Sequence, residues 1–397
     1  MILTNKALKK HILDTVRATE PVVPRCQHAV ECGGCAFQDR AYADQVKVKT
    51  ESLQQIWAEA LPGVAGDISV VASPDPYNYR TRMDYVASKG RFGLRRSGKF
   101  NYIIDLVECH LIPPTAFAVA LKLYERAVEL GLPDYNLRSH EGFLRYFVVR
   151  RSPQDSLMLA LVTASREHED AMAQLAELAL SFERVTSFHW LLNESLTDLS
   201  FGESIRHWGA RTLPMKVGEK LLQIGPNTFF QNNVHLLLPL LDDVAACVGP
   251  AARVADLYGG VGTIALHLAN QVTHITCVEE VAESVALATI NIAQNAASNV
   301  RAIAADTFRF LRDQQEGAFD VVVVDPPRTG LGPEVSRELV RLAPRRIVYV
   351  SCNPLTQVED ARLLLEQYTL NDLRGYDMFP HTPHLESLAV FDRRDNR

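Results

Sequence analysis

Residues 253–268, RVADLYGGVGTIALHL, set the architecture of this 397-residue chain. An apolar run ending at Asp256-Leu257-Tyr258 gives way to Gly259-Gly260-Val261-Gly262, and an apolar helical segment follows from Thr263. Glycines at such a corner let the backbone turn sharply and approach a ligand without interference from Cβ. A glycine-rich loop alone is a weak signal, shared with dinucleotide-binding folds, and NAD stays a rival here even though the full G-x-G-x-x-G spacing is missing.

Working downstream, the same unit repeats. The β-branched runs THITCVE, VRAIAAD, FDVVVVDPP and RRIVYVSC alternate with helical composition at 263–270, 282–296, 307–314, 333–343 and 356–367. Short apolar strands alternating with helices predict a parallel, doubly wound α/β sheet. Its second strand ends at Glu279, 21 residues beyond Tyr258, where an acid can hold ribose hydroxyls, and its third at Asp306, placed to meet an adenine edge. The fourth ends in Asp325-Pro326-Pro327-Arg328, a turn stiffened by two prolines. The fifth ends in Ser351-Cys352-Asn353-Pro354, which puts a cysteine at the carboxyl edge where such sheets carry their active sites.

A final motif, Asp377 to Glu386 (DMFPHTPHLE), enters the last strand. A cysteine and a carboxylate beside a methyl donor suit one reaction well. C5 of uracil is a poor nucleophile, but a thiolate adding to C6 makes an enolate whose C5 can attack an electrophilic methyl. The adduct must then lose its C5 proton to a general base before the thiol departs. Cys352 could instead be a buried structural thiol; Asn353-Pro354 behind it and Glu386 in its own motif weigh against that. His381 and His384 are rival bases or metal ligands, yet no nearby His or Cys cluster completes a site, so they are read as shaping the Glu386 loop.

Upstream, residues 75–228 read as a mixed α+β region. MDYVASKGRFGLR, YFVVRRS and SLMLALVT are strand-like, with helices near 115–130 and 166–181. VRRSPQDSLMLALV predicts a hairpin turned by Ser152-Pro153-Gln154-Asp155. A charged amphipathic helix over 39–60 ends before Pro62 and Gly63. Net charge is −6, but residues 80–100 carry seven cations against Asp84, so this segment is +6 and the remainder −12. It is either a phosphate-tracking stripe or an ordinary solvated hairpin.

Three of the seven cysteines, Cys26, Cys32 and Cys35, fall within ten residues. With the distant Cys109 they could hold zinc or a cubane cluster, and spacing does not separate the two; Cys109 could also be an unrelated buried thiol. Apolar residues at 47% and charged residues at 22% describe a globular chain of two domains, perhaps a third. No apolar run is long enough to span a membrane and no signal sequence opens the chain, so the expected location is the cytoplasm.

Taken together, DLYGGVG, DPPRTGL, SCNP and FPHTPHLE, in that order and spacing, resemble the RNA uracil-C5 methyltransferase family over about 225–397. PNTFFQN at 226–232 is similar to the segment just ahead of that family's core. The resemblance implies a class I (Rossmann-like) methyltransferase domain and a mixed α+β central RNA-binding domain carrying a four-cysteine cluster. It implies S-adenosylmethionine contacts at Gln231, Tyr258, Thr263, Glu279, Asp306 and Asp325, with Cys352 as nucleophile and Glu386 as base. One branch of the family shares the cysteine pattern and carries a [4Fe-4S] cluster, which implies Cys26, Cys32, Cys35 and Cys109 as ligands and a structural role, pinning the N-terminal segment to the basic hairpin.

That branch resembles the bacterial enzymes that form 5-methyluridine in 23S rRNA, so rRNA is the expected substrate and the T-loop uridine of tRNA the alternative. The implied division is an extension at 1–25, a cluster-bearing RNA-binding domain at 26–42 and 75–228, and a methyltransferase domain at 43–74 and 229–397, acting as a monomer. Two departures stand out. Only 25 residues precede Cys26, too few for the small RNA-binding TRAM domain of many members. In Tyr79–Asp84, where RNA contact is assigned to Arg80 and Arg82, Thr81 replaces the more usual Asn. Two rival classes are disfavoured. An amino-methylating enzyme would carry an aromatic where Arg328 stands, and an RNA-binding factor on a dead fold would not retain both Cys352 and Glu386.

Overall fold

The computed structural model describes residues 4–63 and 68–394. Helix α1 (Asn5–Arg17) starts at Thr4, whose hydroxyl accepts the Ala7 N–H at 3.1 Å, and buries Leu8, Ile12 and Val16 at four-residue spacing. Sequence reading assigns residues 1–25 no element; that apolar stripe makes one, packed on α2 (Tyr42–Ala60). Helix α2 begins three residues later than the expected 39–60 and stops ahead of Pro62. A short strand, β1 (Val70–Val71), follows.

The middle of the chain builds a seven-stranded sheet. Its strands are β2 (Arg82–Ser88), β3 (Arg91–Arg96), β4 (Lys99–Asp105), β5 (Leu144–Arg151), β6 (Leu157–Thr163), β7 (Val185–Leu192) and β8 (Glu203–Gly209). The order is β4-β3-β2-β5-β6-β7-β8, antiparallel except between β6 and β7. That parallel pair needs a crossover, supplied by α4 (Glu169–Ser181), which lies with α3 (Pro114–Glu129) over one face. The predicted hairpin is β5–β6: Ser152 Oγ accepts the Gln154 and Ser156 N–H groups, and Asp155 takes φ +64°. A separate small hairpin, β9 (Leu213–Val217) and β10 (Lys220–Ile224), leads toward the second sheet.

That sheet starts after α5 (Leu237–Val248). The alternation read from the sequence is present: β11 (Ala251–Leu257), α6 (Thr263–Leu268), β12 (Val272–Glu279), α7 (Ala282–Gln294), β13 (Val300–Ala304), α8 (Thr307–Arg312), β14 (Val321–Val324), α9 (Gly332–Leu342), β15 (Arg346–Ser351) and α10 (Pro354–Leu364). All four valines of β14 are fully buried, as a central parallel strand covered on both faces requires. Two further strands, β16 (Tyr368–Tyr376) and β17 (Glu386–Arg393), complete the order β1-β16-β17-β15-β14-β11-β12-β13.

The five strands read as parallel, β11 to β15, are parallel. Strand β17, read only as the last strand, runs antiparallel between β15 and β16, so the sheet as a whole is mixed. The physical reason is connection length. A chain leaving β16 re-enters beside it through the short 377–385 loop, whereas a parallel return needs a crossover of a dozen or more residues. Among the described residues, no helix is long and apolar enough to cross a membrane.

Candidate active site

The glycine corner after β11 is strained where a ligand must approach. Tyr258 takes φ +60°, and a Cβ on Gly259 would lie 2.4 Å from Cys277 Sγ. The Gly260 N–H donates to one Glu279 oxygen at 3.0 Å, while the other accepts the Val281 N–H at 2.8 Å. Glu279 thus braces the loop from the end of β12. Asp306 caps α8 through the Arg309 N–H at 2.9 Å, and the next residue, Thr307, hydrogen-bonds Tyr258. Gln231, Tyr258, Thr263 and Asp325 line one pocket of about 540 Å³, with Phe229 and Ile264 adding apolar wall. Glu279 and Asp306 stand at the next two strand ends, outside that lining.

One acid was missed by sequence reasoning. Asp256 is fully buried under the loop, where its Oδ2 accepts the Ala265 N–H at 3.0 Å. Burial pushes its carboxyl up to about 7, with Asp325 and Glu279 adding to the shift.

Gln231 is held by neighbours from the other sheet. Arg150, buried on β5, donates to the carbonyls of Gly225 at 2.9 Å and of Thr228. Arg82 spends its donors on Asp84, the Pro226 carbonyl and Ser200, and stacks 4.5 Å over Phe201. Thr81 donates its hydroxyl to the Gln231 carbonyl at 2.9 Å. So clamped, Gln231 donates to Asp325 Oδ2 at 3.0 Å. Thr81, Arg82 and Arg150 therefore position the segment that carries Gln231.

Register brings the two candidate catalytic groups together. Ser351 on β15 pairs with Ser387 on β17, so Cys352 and Glu386 sit one step further out on neighbouring strands, at the carboxyl edge of the sheet. Glu386 is 2% exposed. Burial, and then the Asp325 charge, hold its carboxyl well above the usual range; Arg328 pulls it back. Burial likewise pushes Asp325 up to about 7. The Cys352 thiol is pushed up to about 12 by burial and by the charges of Glu386 and Asp325, against a hydrogen bond from Arg328. Arg328 is the second group that sequence reasoning missed, although it lies three residues after Asp325 within a motif already singled out. Asn353 fixes it from behind, its Nδ2 donating to the Arg328 carbonyl at 2.9 Å.

The loop leading into Glu386 is braced by α2. Lys49 Nζ meets Asp377 Oδ1 at 2.5 Å, with both side chains fully buried. Removing one partner of such a pair costs about 3–5 kcal/mol, because the other charge is left unpaired. Gln45 Oε1 accepts the His381 N–H at 3.1 Å, and the His381 carbonyl accepts the Ala36 N–H at 2.7 Å. Burial drops both His381 and His384 to about 3, so both stay neutral near pH 7. Their place in the loop agrees with a shaping role.

Ala36 belongs to the cysteine loop. Cys26, Cys32, Cys35 and Cys109 lie close enough to feel one another's charge, and burial lifts Cys26 to about 11 and Cys32 and Cys35 to about 12. Donors point at the sulfurs: the Gly34 N–H to Cys32 at 3.4 Å, Gln38 Nε2 to Cys35 at 3.1 Å, and the Leu111 and Ile112 amides to Cys109. Among the described residues, no three His, Cys, Asp or Glu side chains are arranged to hold a metal ion. The loop is tied to the basic hairpin by the Gly33 N–H on the Arg95 carbonyl at 2.8 Å, and by Arg96 on Glu31 at 2.9 Å.

Between the hairpin, the cysteine loop and residues 382–384 lies an open basin of about 1650 Å³, lined by Arg80, Arg82, Arg95, Arg96 and Lys99 among others. Arg95 is committed to Asp198 at 2.7 Å. Arg80 lies beside Cys35 and Cys109, and its Nε has no hydrogen-bond partner.

Comparisons with known proteins agree with this geometry. Residues 210–394 match the family model described as tRNA (Uracil-5-)-methyltransferase. The chain is 34% identical over 366 residues to a Pyrococcus horikoshii tRNA (uracil(54)-C(5))-methyltransferase, covering 92% of this chain and 84% of that protein. It is 32% identical to an RNA methyltransferase of Nitratidesulfovibrio vulgaris that has no assigned target, over 94% of this chain and 83% of that one. The crystal structure of the Pyrococcus abyssi tRNA (uracil-54, C5)-methyltransferase with S-adenosyl-L-homocysteine superposes with a TM-score of 0.78 at 30% identity, covering 91% of this chain and 86% of that one.

Proposed function

The chain belongs to the RNA uracil-C5 methyltransferase family and is an S-adenosylmethionine-dependent enzyme of that activity; from this premise we propose that it methylates the T-loop uridine of tRNA, position 54, through a covalent Cys352 adduct. Support for tRNA comes from relatives named for that uridine that align along almost the whole chain. The 23S rRNA expectation rested on the cysteine pattern alone and has no comparable support.

The carrying observation is the β15–β17 register, which sets Cys352 beside Glu386 with Arg328 donating to the sulfur. In this mechanism Cys352 reacts as its thiolate, the thiol proton having passed to solvent before the attack, and Arg328 stabilises that anion. Sγ bonds to C6 of the uracil and the electron pair moves to C5 and O4. When bound, S-adenosylmethionine supplies the methyl group that C5 takes. Gln231, Tyr258, Thr263 and Asp325 would hold the cofactor, with Glu279 and Asp306 reaching its ribose and adenine. The Glu386 carboxylate then takes the C5 proton, and the C6–S bond breaks to release 5-methyluridine.

For the cysteine pocket we keep the [4Fe-4S] reading. Its support is the cysteine spacing and the proximity of four buried sulfurs with amide donors and the Arg80 charge beside them, although among the described residues these side chains are not arranged to hold a metal ion. The direct test of substrate is tritium release from C5-labelled uridine in tRNA and in 23S rRNA transcripts. Release from tRNA is expected; release from rRNA alone overturns the tRNA assignment.

A further inference from the structure

Helix α1 carries three lysines, Lys6, Lys9 and Lys10, within its first two turns. Its apolar stripe, Leu8, Ile12 and Val16, is buried against the body of the protein, so its other faces are fixed in direction. Leu13 lines the same basin as Thr382, Pro383 and His384, the residues just ahead of Glu386. Lys9 lies one turn before Leu13 on that side. Its ammonium is near enough for Arg328 to pull its pKa down, burial acting first, and for His384 to feel its charge in turn. No carboxylate among the described residues pairs with Lys6, Lys9 or Lys10, and the first turn of the helix carries no acid. A half-buried lysine facing another cation and no anion is disfavoured as it stands, and a ligand bearing negative charge would relieve it.

We infer that Lys9 is a phosphate-binding residue: α1 forms one lip of the RNA basin, and the Lys9 ammonium takes a backbone phosphate next to the uridine that enters the Cys352 pocket. A base turned out of its loop toward Cys352 leaves its phosphates outside it. Helix α1, whose Leu13 lines the basin beside residues 382–384, carries Lys9 one turn earlier on that rim. The site rests on the RNA methyltransferase activity and specifies which part of the RNA the N-terminal helix holds.

The test measures binding of a synthetic T-arm stem-loop by the full-length protein, wild type and Lys9→Ala, across a salt series. Lys9→Ala is expected to weaken binding about tenfold at low salt and to lower the salt slope by about one, with cofactor affinity unchanged and Lys9→Arg close to wild type. The loop phosphates are then replaced one at a time by neutral methylphosphonates. One linkage beside the bound uridine should cost the wild type about tenfold and cost Lys9→Ala nothing further. Wild-type affinity and slope in Lys9→Ala, or independent losses at every linkage, overturn the inference. 5-Methyluridine formation by the wild type on the unmodified stem-loop is read separately, so a wrong substrate and a wrong phosphate site give different results.

Discussion

Two places in this molecule bury thiols beside an arginine, and they use the same forces to opposite ends. Cys352 is lifted to about 12 by burial, as are Cys32 and Cys35. Each has a guanidinium that favours its thiolate, Arg328 in one place and Arg80 in the other. The difference lies in the remaining neighbours. Around Cys352 they are two protonatable acids, Asp325 and Glu386, which can take up a proton and return it. Around Cys32 and Cys35 they are other thiols, Arg80 and fixed N–H donors, with no carboxylate among them. A thiol among acids can cycle, whereas a thiol among thiols and amides can serve as a ligand.

The sharpest way to break the comparison is to remove the cycling thiol. Cys352→Ala should lower methylation by about 10⁴-fold or more while leaving cofactor affinity, measured by calorimetry, unchanged. Normal turnover in this variant would end the covalent mechanism. Glu386→Gln tests the neighbouring acid and should slow loss of the C5 proton by about 10²- to 10⁴-fold. A covalent protein–RNA band that survives denaturing electrophoresis is expected to accumulate, and rapid turnover with no such band would remove Glu386 from the base role.

The cluster proposed for the cysteine pocket is tested by Cys109→Ser: if that reading holds, the wild type carries iron that this variant loses, with the midpoint of thermal unfolding lower by several degrees. Cys247→Ser, at a half-buried thiol elsewhere, should do neither. The smallest effect concerns pH. Asp325 is raised from the ordinary carboxyl value to about 7 in the folded chain, so folded protein holds a proton that the unfolded chain has already released. Its contribution to stability therefore falls as pH rises from about 4 to about 7 and is constant above that. Asp325→Asn should gain on the wild type across that window in chemical denaturation, and an unchanging difference would show that the acid is not held protonated.

The parallel half of the second sheet is legible in the sequence because each strand there is a short buried run with a turn signal at its end. Cys352, Asp325 and the glycine corner could be found for that reason. The position of β17 could not, since nothing local in ESLAVFDR tells an interior antiparallel strand from an edge strand. The roles of Arg328 and Lys49 were hidden for a related reason. A cation in a motif and a lysine on an amphipathic helix both read as solvated until the fold places a sulfur against one and Asp377 against the other. Arg82, expected to contact RNA, also has hydrogen bonds inside the protein, to Asp84, Pro226 and Ser200, that its place in the sequence does not show.

The reversed direction of β17 also has a consequence for synthesis. Glu386 opens β17 at the working edge and comes last in the chain, after Gln231, Asp325 and Cys352. A chain made only as far as α10 therefore carries the glycine corner and Cys352 but not the carboxylate proposed as the base. Only when β17 is inserted between β15 and β16 does the sheet bring Glu386 opposite Cys352.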